Sequence, residues 1–429
     1  MTRKRTILAA GAAAASLLSA ISAQAAGNPL QGLKDLSEIN LLVAGNVTSH
    51  DEVEGNVWIG GNYTGNNMTV NAGSSLGQPY TASSFATLTV GGNVSSGSSL
   101  HLQTGGLPAG TTLSAVIGGN ADSLTLNGAG AATVAGSLGS FNAQGGFLNV
   151  GGAANNITEN GSSNVAFNGS LSNINMNGGT LTYPGGGIGG SANLNGGVTK
   201  IIAAGAANLG LATTIASQTS TIVTDLKSLA KALAALPATG TFSLTGDSVN
   251  RVGNLNAASG TGFVVIDVTA AQLENVNDHF NYNLKSLGGG KMLPVIVNVS
   301  DTFTTDAHGV KTYAPITITA NDNNAADAPY VLWNFEDATQ ITFTKAFDGA
   351  KLAIYASVTS PNTQFDGSVA VASFAQNGEV HLGTFQSDAQ LNKALTPGVP
   401  EPSSWAMMIV GLTAMGAGLR RRRVVAGAV

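Results

Sequence analysis

Thr89-Val90-Gly91-Gly92-Asn93 and Val116-Ile117-Gly118-Gly119-Asn120 are two copies of one phrase, in which β-prone residues are followed by two glycines and an asparagine. Leu42-Val43-Ala44-Gly45-Asn46 and Trp58-Ile59-Gly60-Gly61-Asn62 precede them. Weaker copies follow at Thr133-Val134-Ala135-Gly136-Ser137, Asn149-Val150-Gly151-Gly152-Ala153, Ala166-Phe167-Asn168-Gly169-Ser170 and Gly187-Ile188-Gly189-Gly190-Ser191. The second small residue recurs at intervals of 16, 31, 27, 17, 16, 17 and 21. Four of these are 16 or 17 and 31 is close to two such units, so the chain is expected to advance one coil per 16–17 residues as a solenoid. Short runs of Val, Ile, Leu and Thr, ended by Gly and Asn that accept tight-turn backbone, stack rung on rung as a β-helix. Gly45, Gly61, Gly92, Gly119, Gly136, Gly152, Gly169 and Gly190 are then expected at equivalent corners. Asn and Thr would hydrogen-bond up the coil, and a narrow core needs few large side chains, which suits a chain with only 6% aromatic residues.

The composition agrees and narrows the function. Of 429 residues 57 are Gly and 10% are charged, well below the quarter usual for a soluble domain. Without the first 26 and the last 31 residues, 11 Lys and Arg face 22 Asp and Glu, a net −11 against −5 for the whole chain. A nucleic-acid-binding surface, which needs a basic face, is excluded on that ground. The absence of Cys excludes disulfides, thiolate zinc, iron–sulfur clusters and a cysteine nucleophile.

From Leu211 to Leu236 the glycines vanish, and Ile222, Leu226, Leu229, Leu233 and Leu236 are spaced by four, three, four and three. This predicts an amphipathic helix stopped by Pro237, its stripe covering the flank of the coil. A free coiled coil is the alternative, although only two heptads are present. Beyond it β patterns return at 262–268, 293–299, 316–320, 331–335, 340–344, 352–358, 369–374 and 380–385.

Both ends carry addresses. Residues 1–25 have a basic start at Arg3–Arg5, an apolar run to Ile21 and a small-x-small site at Ala23 and Ala25, the pattern of a signal peptide cleaved by signal peptidase, with the mature chain expected to begin at Ala26. The C-terminus holds Val399-Pro400-Glu401-Pro402, an apolar stretch Trp405–Leu419 and the block Arg420, Arg421, Arg422, Arg423. Arg after an apolar stretch acts as a stop-transfer signal that keeps the tail cytoplasmic. This ordered trio resembles the PEP-CTERM sorting signal of Gram-negative bacteria. The resemblance implies processing by a membrane-embedded exosortase and exopolysaccharide-producing cells. The expected organisation is a signal peptide at 1–25, a β-helical domain at 26–390, a linker at 391–398, the sorting signal at 399–423 and a tail at 424–429. The expected route is export, a transient stay in the inner membrane through the C-terminal segment, then the cell surface or extracellular matrix.

The opening Leu41-Leu42-Val43-Ala44-Gly45-Asn46-Val47, Val53-Glu54-Gly55-Asn56-Val57 and Ile59-Gly60-Gly61-Asn62, with Leu332–Thr339, Phe365–Val369 and Asn377–His381 later on, resembles the choice-of-anchor A family. That family combines one extracellular domain with different surface anchors. Mainly β, with a coil and one long flanking helix, the chain also resembles the ice-binding adhesin type of fold.

No metal site, cofactor or catalytic residue is expected. The five His form no close pair and no HExxH stretch occurs. Two oxygen-rich runs could take Ca²⁺: His50-Asp51-Glu52 with Glu54, read otherwise as a solvated turn, and Asp322-Asn323-Asn324 with Asp327, read otherwise as an Asx-rich turn. Between Gly60 and Val198 the only acids are Asp122 and Glu159, and the pairs Glu336/Asp337 and Asp366/Glu379 lie elsewhere. A glycosidase needs two facing carboxylates. Trp58, Tyr63, Tyr80 and Tyr183 could stack on sugars, or be core. The expectation is a non-enzymatic structural or adhesive surface protein, possible partners being exopolysaccharide or another surface polymer, with a polysaccharide lyase or hydrolase on a β-helix as the alternative.

Overall fold

In the computed structural model, which describes residues 27–396 apart from 74–81, 105–111, 187, 204–209, 258–261, 284–292, 307, 323–325 and 361, the chain winds through stacked rungs of parallel β-strand. Leu41–Val43, Val57–Ile59, Leu88–Val90 and Leu113–Ile117 lie in register one above another, and Gly130–Val134, Gly146–Val150, Ser163–Phe167, Gly179–Tyr183 and Thr199–Ile202 continue the row. Each rung then turns a corner at its glycines, crosses a narrow side and returns along a second broad sheet. That second sheet runs through Met68–Val70, Ser99–Gln103, Ala121–Asn127, Leu138–Ala143, Ile157–Glu159, Ile174–Asn177 and Ala192–Asn195.

The corners stack because glycine is there. The amide N–H of Gly61 donates to Gly45 O, Gly92 to Gly61 O, Gly136 to Gly119 O, Gly152 to Gly136 O and Gly169 to Gly152 O. A Cβ on Gly60 would lie 2.3 Å from Ala44 O and 2.5 Å from the Thr219 methyl, so this glycine also lets a helix approach the coil. Gly190 departs from the expected series. Ile188 bridges Leu171, which lies two residues past the Gly169 corner, so Gly190 lies four past the equivalent point, against Ser172 and Asn173. The 31-residue interval is also corrected. It is one rung rather than two, since Val57–Ile59 pairs directly with Leu88–Val90, and the 27-residue interval is likewise one. Extra residues enter at corners, where they disturb no strand register.

The C-terminal β region belongs to the same stack. Val264–Thr269, Val295–Ser300, Val331–Asn334, Ala350–Thr359 and Val369–Gln376 pair in that order, and Val369–Val371 then pairs with Leu41–Val43. The latest rungs in sequence therefore lie beneath the earliest. A hairpin of Gly240–Thr245 and Val252–Ala257, joined by Phe280–Asn283, places Leu255 and Phe280 in the same interior. Val, Ile and Leu fill the upper rungs, and Trp333, Phe343, Phe347 and Phe365 interlock in the lower ones.

Helix α1 (Pro29–Glu38), capped by the Asn28 side chain, packs beside α2 (Leu211–Ala234) over the first broad sheet. The helix ends two residues before the expected Leu236, which is half-buried, while Ile222, Leu226, Leu229 and Leu233 of the expected stripe are buried and, with Ile215, meet Leu42, Trp58, Val265, Ile296 and Leu332. Going along α2, Ala212 lies at Gly118, Ile215 at Gly91 and Thr219 at Gly60, while Ala230 O and Leu233 O accept from Asn334 and Asn298. The helix thus runs from the rung of Gly118, partway up the stack, to the base. Short helices α3 (Ala270–Glu274) and α4 (Ala389–Leu395) complete the chain, α4 burying Leu391 and Leu395 against the α1–α2 layer.

Candidate functional site

The second broad sheet is the face without a covering helix. Along each strand, side chains alternate between interior and solvent. Inward go Leu100 and Leu102, Leu124 and Leu126, Phe141 and Ala143, Ile157, Ile174 and Met176, all buried. Outward, in one register, go Thr69, His101, Thr125, Asn142, Thr158, Asn175 and Asn193. A second row contains Ser99, Ser123 and Ser140, and a third contains Gln103 with Asn127 and, higher up, Asn177 with Asn195. Rows repeat at the strand spacing of about 4.8 Å.

These side chains hold one another. Ser140 Oγ and Ser123 Oγ are 2.9 Å apart, Asn173 Nδ2 donates to Asn156 Oδ1 at 2.9 Å, and Ser99 Oγ donates to Asn67 Oδ1 at 3.0 Å. The row they form, at the edge of the face, is therefore a fixed ladder of hydroxyl and amide groups, and ordering it costs a bound polymer little. The face is also uncharged. Burial pushes the His101 imidazole below its ordinary value, keeping it neutral at pH 7. Glu159 points inward, where Ser163 Oγ donates to it at 2.8 Å, and Asp122 stands at the corner, accepting from Gly97 N–H at 2.7 Å.

Two aromatics considered for sugar stacking are core. Trp58 lies under α2, its indole N–H donating to Thr219, and Tyr63 is fully buried with its hydroxyl donating to Ser49 O. Tyr183 packs partly buried on Phe167, and Tyr80 lies outside the described residues.

Each oxygen-rich run buries at least one carboxylate, while His50 is exposed and Asp51 and Glu52 are half-buried, as in a surface turn. Asp322 is buried and accepts from the Tyr282 hydroxyl, while Asn323 and Asn324 lie outside the described residues. Glu54 is buried and accepts from Leu382 N–H at 2.7 Å. Among the described residues no group of three or more His, Asp or Glu is placed to hold a metal.

One charged constellation was not anticipated. Asp348, Asp366 and His381 occupy equivalent positions on successive rungs. His381 Nδ1 lies 2.6 Å from Asp366 and Nε2 lies 2.7 Å from Glu379. Burial works against charge on the imidazole, but the two carboxylate bonds prevail and raise its pKa to about 9. Burial likewise raises Asp348, to about 9, and the neighbouring Asp322 and Asp366 add to the effect. Buried Lys351 donates to Phe347 O and Asp366 O. This group binds the C-terminal rungs together where they meet the first N-terminal one. Asp366 and Glu379, considered as an acid pair, are the two partners of one histidine.

Glu336 and Asp337 follow the end of strand Val331–Asn334 rather than lying on its two faces. Ala23 and Ala25, expected to mark a signal-peptide cleavage site, the sorting motif Val399–Pro402 and the block Arg420–Arg423 lie outside the described residues. Among the described residues no helix is long and apolar enough to cross a membrane.

The comparisons with known proteins follow the same division. The family model "Putative Ice-binding-like adhesive domain" matches residues 32–137 and 114–382, and the PEP-CTERM protein-sorting motif matches 398–423. No curated protein sequence matches. A crystal structure of an ice binding protein from an Antarctic Flavobacteriaceae bacterium aligns over 87% of this chain and 99% of its own, at 13% identity and a TM-score of 0.19, too low to support any detail. The chain thus belongs to the ice-binding-like adhesive domain family and carries a C-terminal PEP-CTERM sorting signal.

Proposed function

We propose that the protein is a non-enzymatic adhesin of the choice-of-anchor A type, whose uncovered ladder face holds polysaccharide of the extracellular matrix. The observation that carries this reading is the lattice itself: rows of Thr, Ser and Asn at rung spacing, linked side chain to side chain and free of carboxylate pairs. Many weak contacts in register suit a repetitive or flat partner, because their summed affinity does not depend on any one pocket. Enzymatic cleavage of a glycan would need two opposed carboxylates on that face, and its acids point inward or sit at a corner.

In this reading signal peptidase cuts after Ala25 and the domain runs from 26 through α4, which buries Leu391 and Leu395 and so takes up most of the expected linker at 391–398 before the sorting signal. The exported chain pauses in the inner membrane through Trp405–Leu419, held by Arg420–Arg423, until an exosortase acts near Val399–Pro402. The test places tyrosines in the centre of the lattice, Thr125→Tyr with Thr158→Tyr. Retention of the protein in the matrix of its own cells is expected to fall to a small fraction of wild type at an unchanged melting temperature. Unaltered retention would mean that the lattice is not the adhesive face.

A further inference from the structure

A cavity of about 450 Å³ runs across several rungs on the narrow side of the coil, at the corner rather than on the flat lattice. One wall is an amide ladder. Asn93 N–H donates to Asn62 Oδ1, Asn120 N–H to Asn93 Oδ1 and Ser137 N–H to Asn120 Oδ1, each at 2.8 Å. These bonds use only the side-chain oxygens. The Nδ2 groups of Asn93 and Asn120 make no hydrogen bond among the described residues, and both side chains are exposed.

The other wall carries Asp122, which Gly97 N–H fixes in place, with the Ser95 hydroxyl nearby. Gly139 lines the floor. A Cβ there would lie 2.5 Å from Asp122 O and 3.0 Å from its Oδ1, so glycine keeps the channel open. The asparagine donors repeat at the rung spacing of about 4.8 Å, facing the carboxylate of Asp122 and the Ser95 hydroxyl.

We propose that this channel binds a single strand of neutral glycan, one sugar ring to a rung. Each ring presents neighbouring hydroxyls that can accept from an Asn Nδ2 and donate to Asp122 or to a serine. An extended chain of six-membered rings joined equatorially advances by close to one rung per ring. A polyuronate is disfavoured, because the channel holds a carboxylate and no cation and the body carries a net −11. The proposal deepens the adhesive reading by adding a strand-binding site beside the lattice.

Ser137 shows how to test it without damaging the corner: its Oγ accepts from Ala153 N–H at 3.2 Å, doing the work of an asparagine oxygen without an amide. Asn93→Ser with Asn120→Ser should keep the ladder and remove the outward donors. Calorimetry on the full chain uses a β-1,4-linked glucose hexamer, with a galacturonate hexamer as the acidic comparison. Wild type is expected to bind the neutral hexamer in preference, and the double variant about tenfold more weakly at the same melting temperature. Equal affinity in the double variant, no binding of the neutral hexamer by wild type, or preference for the acidic one each overturns the proposal. The Thr125→Tyr and Thr158→Tyr variant should bind the hexamer as wild type does, so the channel and the lattice can fail independently.

Discussion

At the scale of residues, His381 shows how a neutral-looking rod hides charge at the joint between its two halves. Its pKa of about 9 in the folded chain exceeds the ordinary 6.5, so the folded state keeps a proton that the unfolded state loses. Stability from this pair is complete below pH 6.5 and is lost as pH rises through about 9. Buried Asp348 acts in the same direction, being protonated when folded and ionised when unfolded. Lys351, lowered to about 8 by burial, opposes them only above that pH. Between pH 6.5 and 8 the melting temperature is therefore expected to fall. In His381→Gln the protein should start about 3 kcal/mol less stable and show a shallower slope. A melting curve as steep in the variant as in wild type would assign the dependence to other groups. Little of this could be read in the sequence: Glu379 lies two residues from His381, but Asp366 and Glu54 reach it only through rung stacking, about which spacing along the chain says nothing. The Gly-Gly-Asn corners were readable because close stacking of backbones restricts what each position accepts. Their intervals misled where an insertion between strands made one rung resemble two, and at Gly190, which lies past its corner.

At the scale of elements, α2 is the clearest case of agreement, since a spacing of four and three suits only a helix with one covered side. Leu229 is fully buried between the helix and the sheet. Leu229→Asp would place an unpaired carboxylate there, and chemical denaturation is expected to show a loss of about 4 kcal/mol or outright unfolding. Asn334 secures the same helix from the sheet side, donating to Ala230 O and Asn298 Oδ1 at 2.9 Å. Asn334→Ala should cost about 2 kcal/mol, since it leaves buried groups unpaired. If both variants melt as wild type does, the helix contributes nothing to holding the stack. Helix α1 is not legible in the sequence because its Leu30, Leu33 and Leu36 begin only nine residues after the apolar run that ends at Ile21. Its place is set by distant partners: Asn28 N–H donates to Asp225 at 2.6 Å and Ser228 Oγ donates to Gly27 O at 2.9 Å.

At the scale of the whole molecule, the order of rungs differs from the order of sequence: the strand Leu41–Val43 lies between Val57–Ile59 and Val369–Val371. No local pattern announces a pairing between segments so far apart, which is why the two β regions are recognisable in sequence but their union is not. The body closes only when its last rung has been made, so folding must be complete before the C-terminal signal can serve a finished adhesin. Helix α4, the last described element, packs on the α1–α2 layer, and the ladder face is a different side of the coil. On the proposed route, Pro400 and Pro402, which fix their own φ and disfavour helix in the residue before, would keep the sorting segment extended and open to a protease. The four Arg residues would hold the tail on the cytoplasmic side. Replacing Pro400, Glu401 and Pro402 with Ala is therefore expected to leave export intact and to accumulate an uncleaved form in the inner membrane. Deleting Arg420–Arg423 should instead let the chain slip across without processing. Mass spectrometry of surface-exposed protein separates the possibilities: mature wild type should lack peptides from Trp405–Leu419, and recovering them would show that the tail is kept as an anchor instead of being removed.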